Sequence, residues 1–130
     1  MTNPVRHIGI SIDRAPSDVY DFAHDPANLP RWAAGLGGSI ELLDGEWVAE
    51  SPMGSVTVVM APDNEFGVLD HTVTLPDGTR SLNPLRVLPN ERGSEVVFSL
   101  FRLPGVDDAA YEADAAAIAA DLATLKRLLE

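Results

Sequence analysis

One apolar stripe near the end of the chain constrains its fold more than any other feature. Tyr111, Ala115, Ile118, Leu122, Leu125 and Leu129 follow one another at intervals of 4, 3, 4, 3 and 4. Such intervals put all of them on one side of an α-helix. The pattern predicts a helix from about Asp107 to Leu129. Asp107 or Asp108 can cap its start, and Lys126 and Arg127 sit at the negative end of its dipole. At ~1.5 Å per residue the helix is about 33 Å long, enough to cross a small domain. Its stripe needs a surface to lie on, and the rest of the chain must supply it.

That surface reads as sheet. Ile8, Ile10 and Ile12 alternate with His7, Gly9 and Ser11, which predicts a strand over Val5 to Asp13 with one buried face. A helix follows from Pro16, with Val19, Phe22 and Ala23 on one face, and ends at Asp25-Pro26. A second short helix is predicted over Pro30 to Ala34, stopped by Gly35, Gly37 and Gly38. From Ser39 to Leu103 the signals are strands and turns. These are Ser39 to Leu43, the hairpin signal Asp44-Gly45, Glu46 to Ser51, Gly54 to Ala61 and Phe66 to Leu75. After the turn Pro76-Asp77-Gly78 come Thr79 to Leu88, interrupted at Pro84, and Glu95 to Leu103. Strands joined by such short turns imply an antiparallel meander. No internal repeat or interdomain linker is evident, so residues 1–130 are read as one domain.

Composition narrows the function classes. The net charge of −11, with Lys126 the only lysine, disfavours nucleic acid and anionic membrane as partners. No apolar run reaches the ~20 residues of a membrane span. The N-terminus lacks the apolar core of a signal peptide, and the expected location is the cytoplasm. The absence of cysteine excludes disulfides, thiolate metal sites and cysteine nucleophiles. His7, His24 and His71 have no metal-binding spacing, so neither metal nor cofactor is expected. Gly35-Leu36-Gly37-Gly38 lacks the lysine and the following helix of a phosphate loop, and no Gly-x-Ser-x-Gly elbow occurs.

The run Ile10-Ser11-Ile12-Asp13-Arg14-Ala15-Pro16-Ser17-Asp18-Val19-Tyr20-Asp21-Phe22, followed by Asp25-Pro26-Ala27-Asn28-Leu29-Pro30-Arg31-Trp32, resembles the SRPBCC superfamily of START-like and Bet v 1-like domains. The order of elements agrees from about Val5 to Glu130. Asn64-Glu65-Phe66-Gly67-Val68-Leu69-Asp70-His71 and Arg86-Val87-Leu88-Pro89-Asn90 are similar to a bacterial polyketide cyclase-like subgroup. The resemblance implies an α+β helix-grip fold. A curved antiparallel sheet of about six to seven strands would wrap the long C-terminal helix, with two short helices after the first strand. It also implies a cavity between sheet and helix. Ala113, Ala116, Ala117, Ala119 and Ala120 surround the helical stripe. Small residues there either leave room for a ligand or let the helix sit closer to the sheet.

Two residues are candidates for chemistry. In Phe66 to Leu75 the more apolar alternating set is Leu69, His71, Val73 and Leu75, so His71 is expected to point inward. There it could act as a general base or a ligand donor, or simply be a bonded core histidine. Arg86 could hold a carboxylate or an enolate oxygen, or form an outward salt bridge with Asp70. Arg80 and Arg102 have weaker claims. The large side chains expected around the cavity are Phe22, Trp32, Met53, Met60, Leu69, Phe98 and Tyr111, with His71 among them, its entrance near the second helix. Two functions follow. One is a binding or carrier module for a small hydrophobic or aromatic molecule. The other is a cyclase- or dehydratase-like enzyme acting on a carbonyl compound in the same cavity. The protein is expected to be a monomer or a homodimer.

Overall fold

Asp107 caps the last helix, accepting the Ala110 N–H at 2.8 Å, and α3 runs from Asp108–Leu129. The computed structural model describes residues 1–36 and 38–130; Gly37, one of the predicted helix stops, lies outside them. The chain runs β1 (Val5–Ile12), α1 (Pro16–His24), α2 (Leu29–Trp32), β2 (Ile40–Leu43), β3 (Glu46–Ser51) and β4 (Gly54–Met60). It continues through β5 (His71–Thr74), β6 (Arg80–Asn83), β7 (Leu85–Asn90) and β8 (Gly93–Phe101) to α3. Single 3-10 turns at Pro26–Asn28 and Ala34–Leu36 flank α2. This is the expected helix-grip architecture, a curved antiparallel sheet around a long C-terminal helix, with two short helices after the first strand.

The sheet is antiparallel throughout, with orders β1-β8-β7 and β2-β3-β4-β5-β6. Asp44-Gly45 makes the β2–β3 hairpin with both φ angles positive, 51° and 80°, as a type I′ turn requires. The strand expected over Phe66 to Leu75 divides in two. Its first half bonds to β7: Leu69 N–H donates to the Leu85 carbonyl at 2.8 Å, and Val87 N–H to the Gly67 carbonyl at 2.9 Å. Its second half is β5, paired with β4 and β6. The neighbouring strand divides at Pro84, which has no N–H to carry the ladder onward. The two breaks are adjacent, and the sheet bends there. The Leu85 N–H at the bend goes to the Asp70 carboxylate at 2.9 Å instead of to a strand.

The helix α3 lies on β1 and β8 and touches α2. Ile12, Leu69, Leu85, Val96, Leu122 and Leu125 form the fully buried centre. The stripe read from the sequence is the buried face, with Tyr111, Ala115, Leu122, Leu125 and Leu129 buried and Ile118 partly so. The alanines Ala113, Ala116, Ala117, Ala119 and Ala120 are exposed. They flank the stripe on the solvent side, so any space beneath α3 has another origin. No helix among the described residues is long and apolar enough to cross a membrane.

Candidate functional site

The bend in the sheet leaves a small space under α3. A cavity of about 60 Å³ lies there. His71, Leu85 and Phe98 of the sheet form one side, Leu29, Trp32 and Ala33 cover it, and Ile118, Asp121 and Leu122 close it from α3. A water molecule needs only about 10–15 Å³ of such space, so the cavity can hold water. Alternation brings His71 there, two residues after the buried Leu69.

Three residues with polar groups line this cavity: Trp32, His71 and Asp121. Trp32 is buried, and its Nε1–H has no hydrogen-bond partner in the protein. Asp121 is partly buried and accepts the Ala34 N–H through Oδ1 at 3.1 Å. Burial pushes its pKa above the ordinary aspartate value, with the Ala34 N–H opposing. His71 Nδ1 lies 3.1 Å from the Leu69 carbonyl. A carbonyl only accepts, so Nδ1 carries the proton. Burial lowers the His71 pKa, against the Leu69 carbonyl and the nearby Asp70 charge. The ring is therefore neutral at neutral pH, with a lone pair on Nε2.

The other candidates are placed as follows. Phe98 lines the cavity and Leu69 is sealed in the core. Arg86 does not reach the cavity. It points outward and grips Asp70 with two bonds, Nε to Oδ1 at 2.8 Å and Nη2 to Oδ2 at 2.7 Å. Alternation explains this: Leu85 and Val87 take the buried face of β7 and Arg86 takes the other. The hydrogen bonds from Arg86 hold the Asp70 carboxyl below the usual aspartate range, helped by the Leu85 N–H. Met53 is exposed in the β3–β4 turn and lines nothing. Tyr111 is buried but does not line the cavity. Its hydroxyl donates to the Leu100 carbonyl at 3.2 Å, and Arg6 and Arg102 flank its ring. Phe22 packs beneath the Arg31 guanidinium and is not part of the cavity wall.

Met60 belongs to a second, open groove of about 760 Å³. Tyr20 and His24 of α1 face Trp47, Val58 and Met60 across it. Met60 stands opposite His71 in the β4–β5 register. Pro26 lines the groove and Leu29 lines the cavity, so the short segment between them is the partition. Asp121 is the site residue that sequence reading missed. It follows Ile118 by three residues and precedes Leu125 by four, which puts it on the edge of the buried stripe. That spacing was the available signal.

No known family model and no curated protein sequence matches the chain. Solved structures do. The chain is similar to the Aha1 dimer from Colwellia psychrerythraea, with a TM-score of 0.74 and 16% identity over 98% of this chain and 96% of that one. It is similar to the protein XoxI from Bacillus cereus, with a TM-score of 0.69 and 18% identity over 99% and 96%. It also resembles Ara h 8.0201, with a TM-score of 0.70 and 14% identity over 97% of each chain. These likenesses establish the helix-grip fold. At such identities they carry the fold and nothing about chemistry.

Proposed function

We propose that the protein binds a small hydrophobic or aromatic molecule between the bent sheet and α3. The observation that carries this reading is the cavity under α3, walled by the apolar Leu29, Leu85, Phe98, Ile118 and Leu122. The cavity at about 60 Å³ is far below the ~300–1,000 Å³ of drug-sized sites. Binding anything larger requires the Pro26–Trp32 segment to move, which would join the cavity to the groove beside it.

The test is a titration with small neutral aromatic probes, toluene and naphthalene, followed by the Trp32 Nε1–H NMR signal. Trp47→Phe assigns that signal, since the chain has two tryptophans. A saturable shift with a raised Tm is expected, because a ligand that binds only the folded state stabilises it. No saturable shift with either probe contradicts the proposal.

The enzyme reading, a cyclase- or dehydratase-like activity on a carbonyl compound, rests on His71 alone. A neutral imidazole with a free Nε2 is chemically suited to be a general base. Arg86, engaged with Asp70 on the outside, supplies no oxyanion partner.

A further inference from the structure

We propose that the open groove between α1 and the β3–β4 pair is a second binding site, for an organic cation with an apolar body, an aryl-alkyl ammonium. It is separate from the cavity under α3 and stands without that reading.

The groove holds about 760 Å³, within the range of small-molecule sites. Its wall and its rim differ in chemistry. Trp47, Val58 and Met60 of the sheet form an apolar wall opposite Tyr20. Tyr20 is held in place: its ring stacks on His24 with centroids 4.9 Å apart, and its hydroxyl accepts the Asn64 N–H at 3.0 Å. Asp21, Asp25, Glu46 and Asp63 also line the groove, and no lysine or arginine does. All four carboxylates belong to exposed residues. Among the described residues Asp21, Asp25 and Glu46 form no salt bridge, while Arg6, Arg14, Arg86, Arg102 and Lys126 are paired with carboxylates elsewhere. His24, the one histidine of the lining, turns Nε2 to the Ala61 carbonyl at 2.6 Å and Nδ1 to Asp63 Oδ1 at 3.3 Å. It therefore leaves the other three carboxylates unmatched.

The occupant follows from this charge pattern. The rim repels an anion, and a neutral apolar molecule leaves its charge unmatched. A bare metal ion needs ligands that converge, and no three His, Asp or Glu side chains among the described residues come together in that way. An organic cation suits both parts. Its charge sits among the carboxylates, and its hydrocarbon lies on the wall, where an indole face also attracts a cation.

Three probes share one skeleton and differ in charge: 4-phenylbutylamine, an ammonium at pH 7, 4-phenylbutan-1-ol and 4-phenylbutyrate. Calorimetric titration gives their dissociation constants, and the Trp47 Nε1–H NMR signal reports whether the probe sits in the groove. At about 0.1 M salt, where charges more than ~10 Å away are largely screened, the ammonium should bind about tenfold tighter than the alcohol. The butyrate should bind weakest, and the ammonium should move the Trp47 signal. Raising the salt to about 1 M should shrink the preference. The net charge of −11 draws any cation, so the local carboxylates must be separated from the whole. Asp21→Asn combined with Glu46→Gln should cut the preference severalfold. Glu91→Gln combined with Asp114→Asn makes the same change in net charge at exposed residues outside the groove, and should leave the preference within about twofold. Equal binding of ammonium and alcohol would overturn the proposal, as would equal losses in the two double variants or a Trp47 signal that stays still. Tetralysine binding tighter than the ammonium would assign the groove to a basic protein segment and overturn it too. The cavity is tested separately, through Trp32 and neutral probes.

Discussion

The single helix α3 passes over two kinds of interior. Its last turns are tied down. Lys126 Nζ donates to the Ser11 carbonyl at 2.7 Å, Arg14 Nη1 donates to the Leu129 carbonyl at 3.0 Å, and Glu130 accepts the Asp13 N–H at 2.8 Å. Leu125 and Leu129 are buried there in an apolar core. One turn earlier, Ile118 and Asp121 meet a cavity with an unpaired indole and a neutral histidine. The difference lies in what is opposite. The regular β1–β8 ladder offers α3 a continuous surface, whereas the bend at Pro84 does not. A fold stabilised at one end of its helix can carry polar groups without partners at the other.

The contrast is broken most severely by truncation. Leu125→Ala should cost about 3–5 kcal/mol, because no neighbouring space lets the core collapse around it. Ile118→Ala should cost only about 1–2 kcal/mol, since Ile118 is partly exposed and already borders a cavity. Urea unfolding of both variants compares them directly. Equal costs would mean that the two interiors do not differ.

The bend can be loosened next. Asp70→Ala removes the Leu85 and Arg86 bonds together and should cost about 1–3 kcal/mol. The Asp70 pKa is lowered in the folded state, so its contribution is complete above the unfolded value near ~3.9. It is lost as pH falls through the lower folded value. Unfolding midpoints measured from pH 6 to pH 2 should therefore converge for the two proteins; parallel curves would deny the bond its role.

Asp121→Asn should stabilise the protein slightly at pH 7, by less than either loss above. The Asp121 pKa is raised by burial, so the folded state disfavours the charged form. Stability falls as pH rises from the unfolded to the folded pKa, and asparagine, which keeps the acceptor for Ala34, lacks that penalty. A lower Tm for the variant at pH 7 would show that the charge contributes more than its burial costs.

Much of this contrast was written in the chain, though unevenly. The stripe from Tyr111 to Leu129 and the turn Asp44-Gly45 are local patterns, and local physics realises both. Pro84 was legible as an interruption. That Phe66 to Leu75 would divide beside it was not, because its one breaker, Gly67, lies ahead of the division, which comes from the run's two different neighbours. The inward turn of His71 followed from alternation on its own strand. The outward turn of Arg86 did not, since Pro84 resets the register from which alternation is counted. The exposed alanines misled because a stripe and its flanks have the same residue size in that part of α3. Which polar groups would converge depended on the three-dimensional meeting of α2, α3 and the bend, and no interval along the chain encodes it.

The most direct test of the site is nitrogen NMR of the His71 ring as a function of pH. The account predicts a neutral ring with its proton on Nδ1, persisting as pH falls below the ~6.5 of an ordinary histidine, and an Nε2 signal that moves when toluene is added. A ring that carries its proton on Nε2, or that is already imidazolium at pH 6.5, would contradict it.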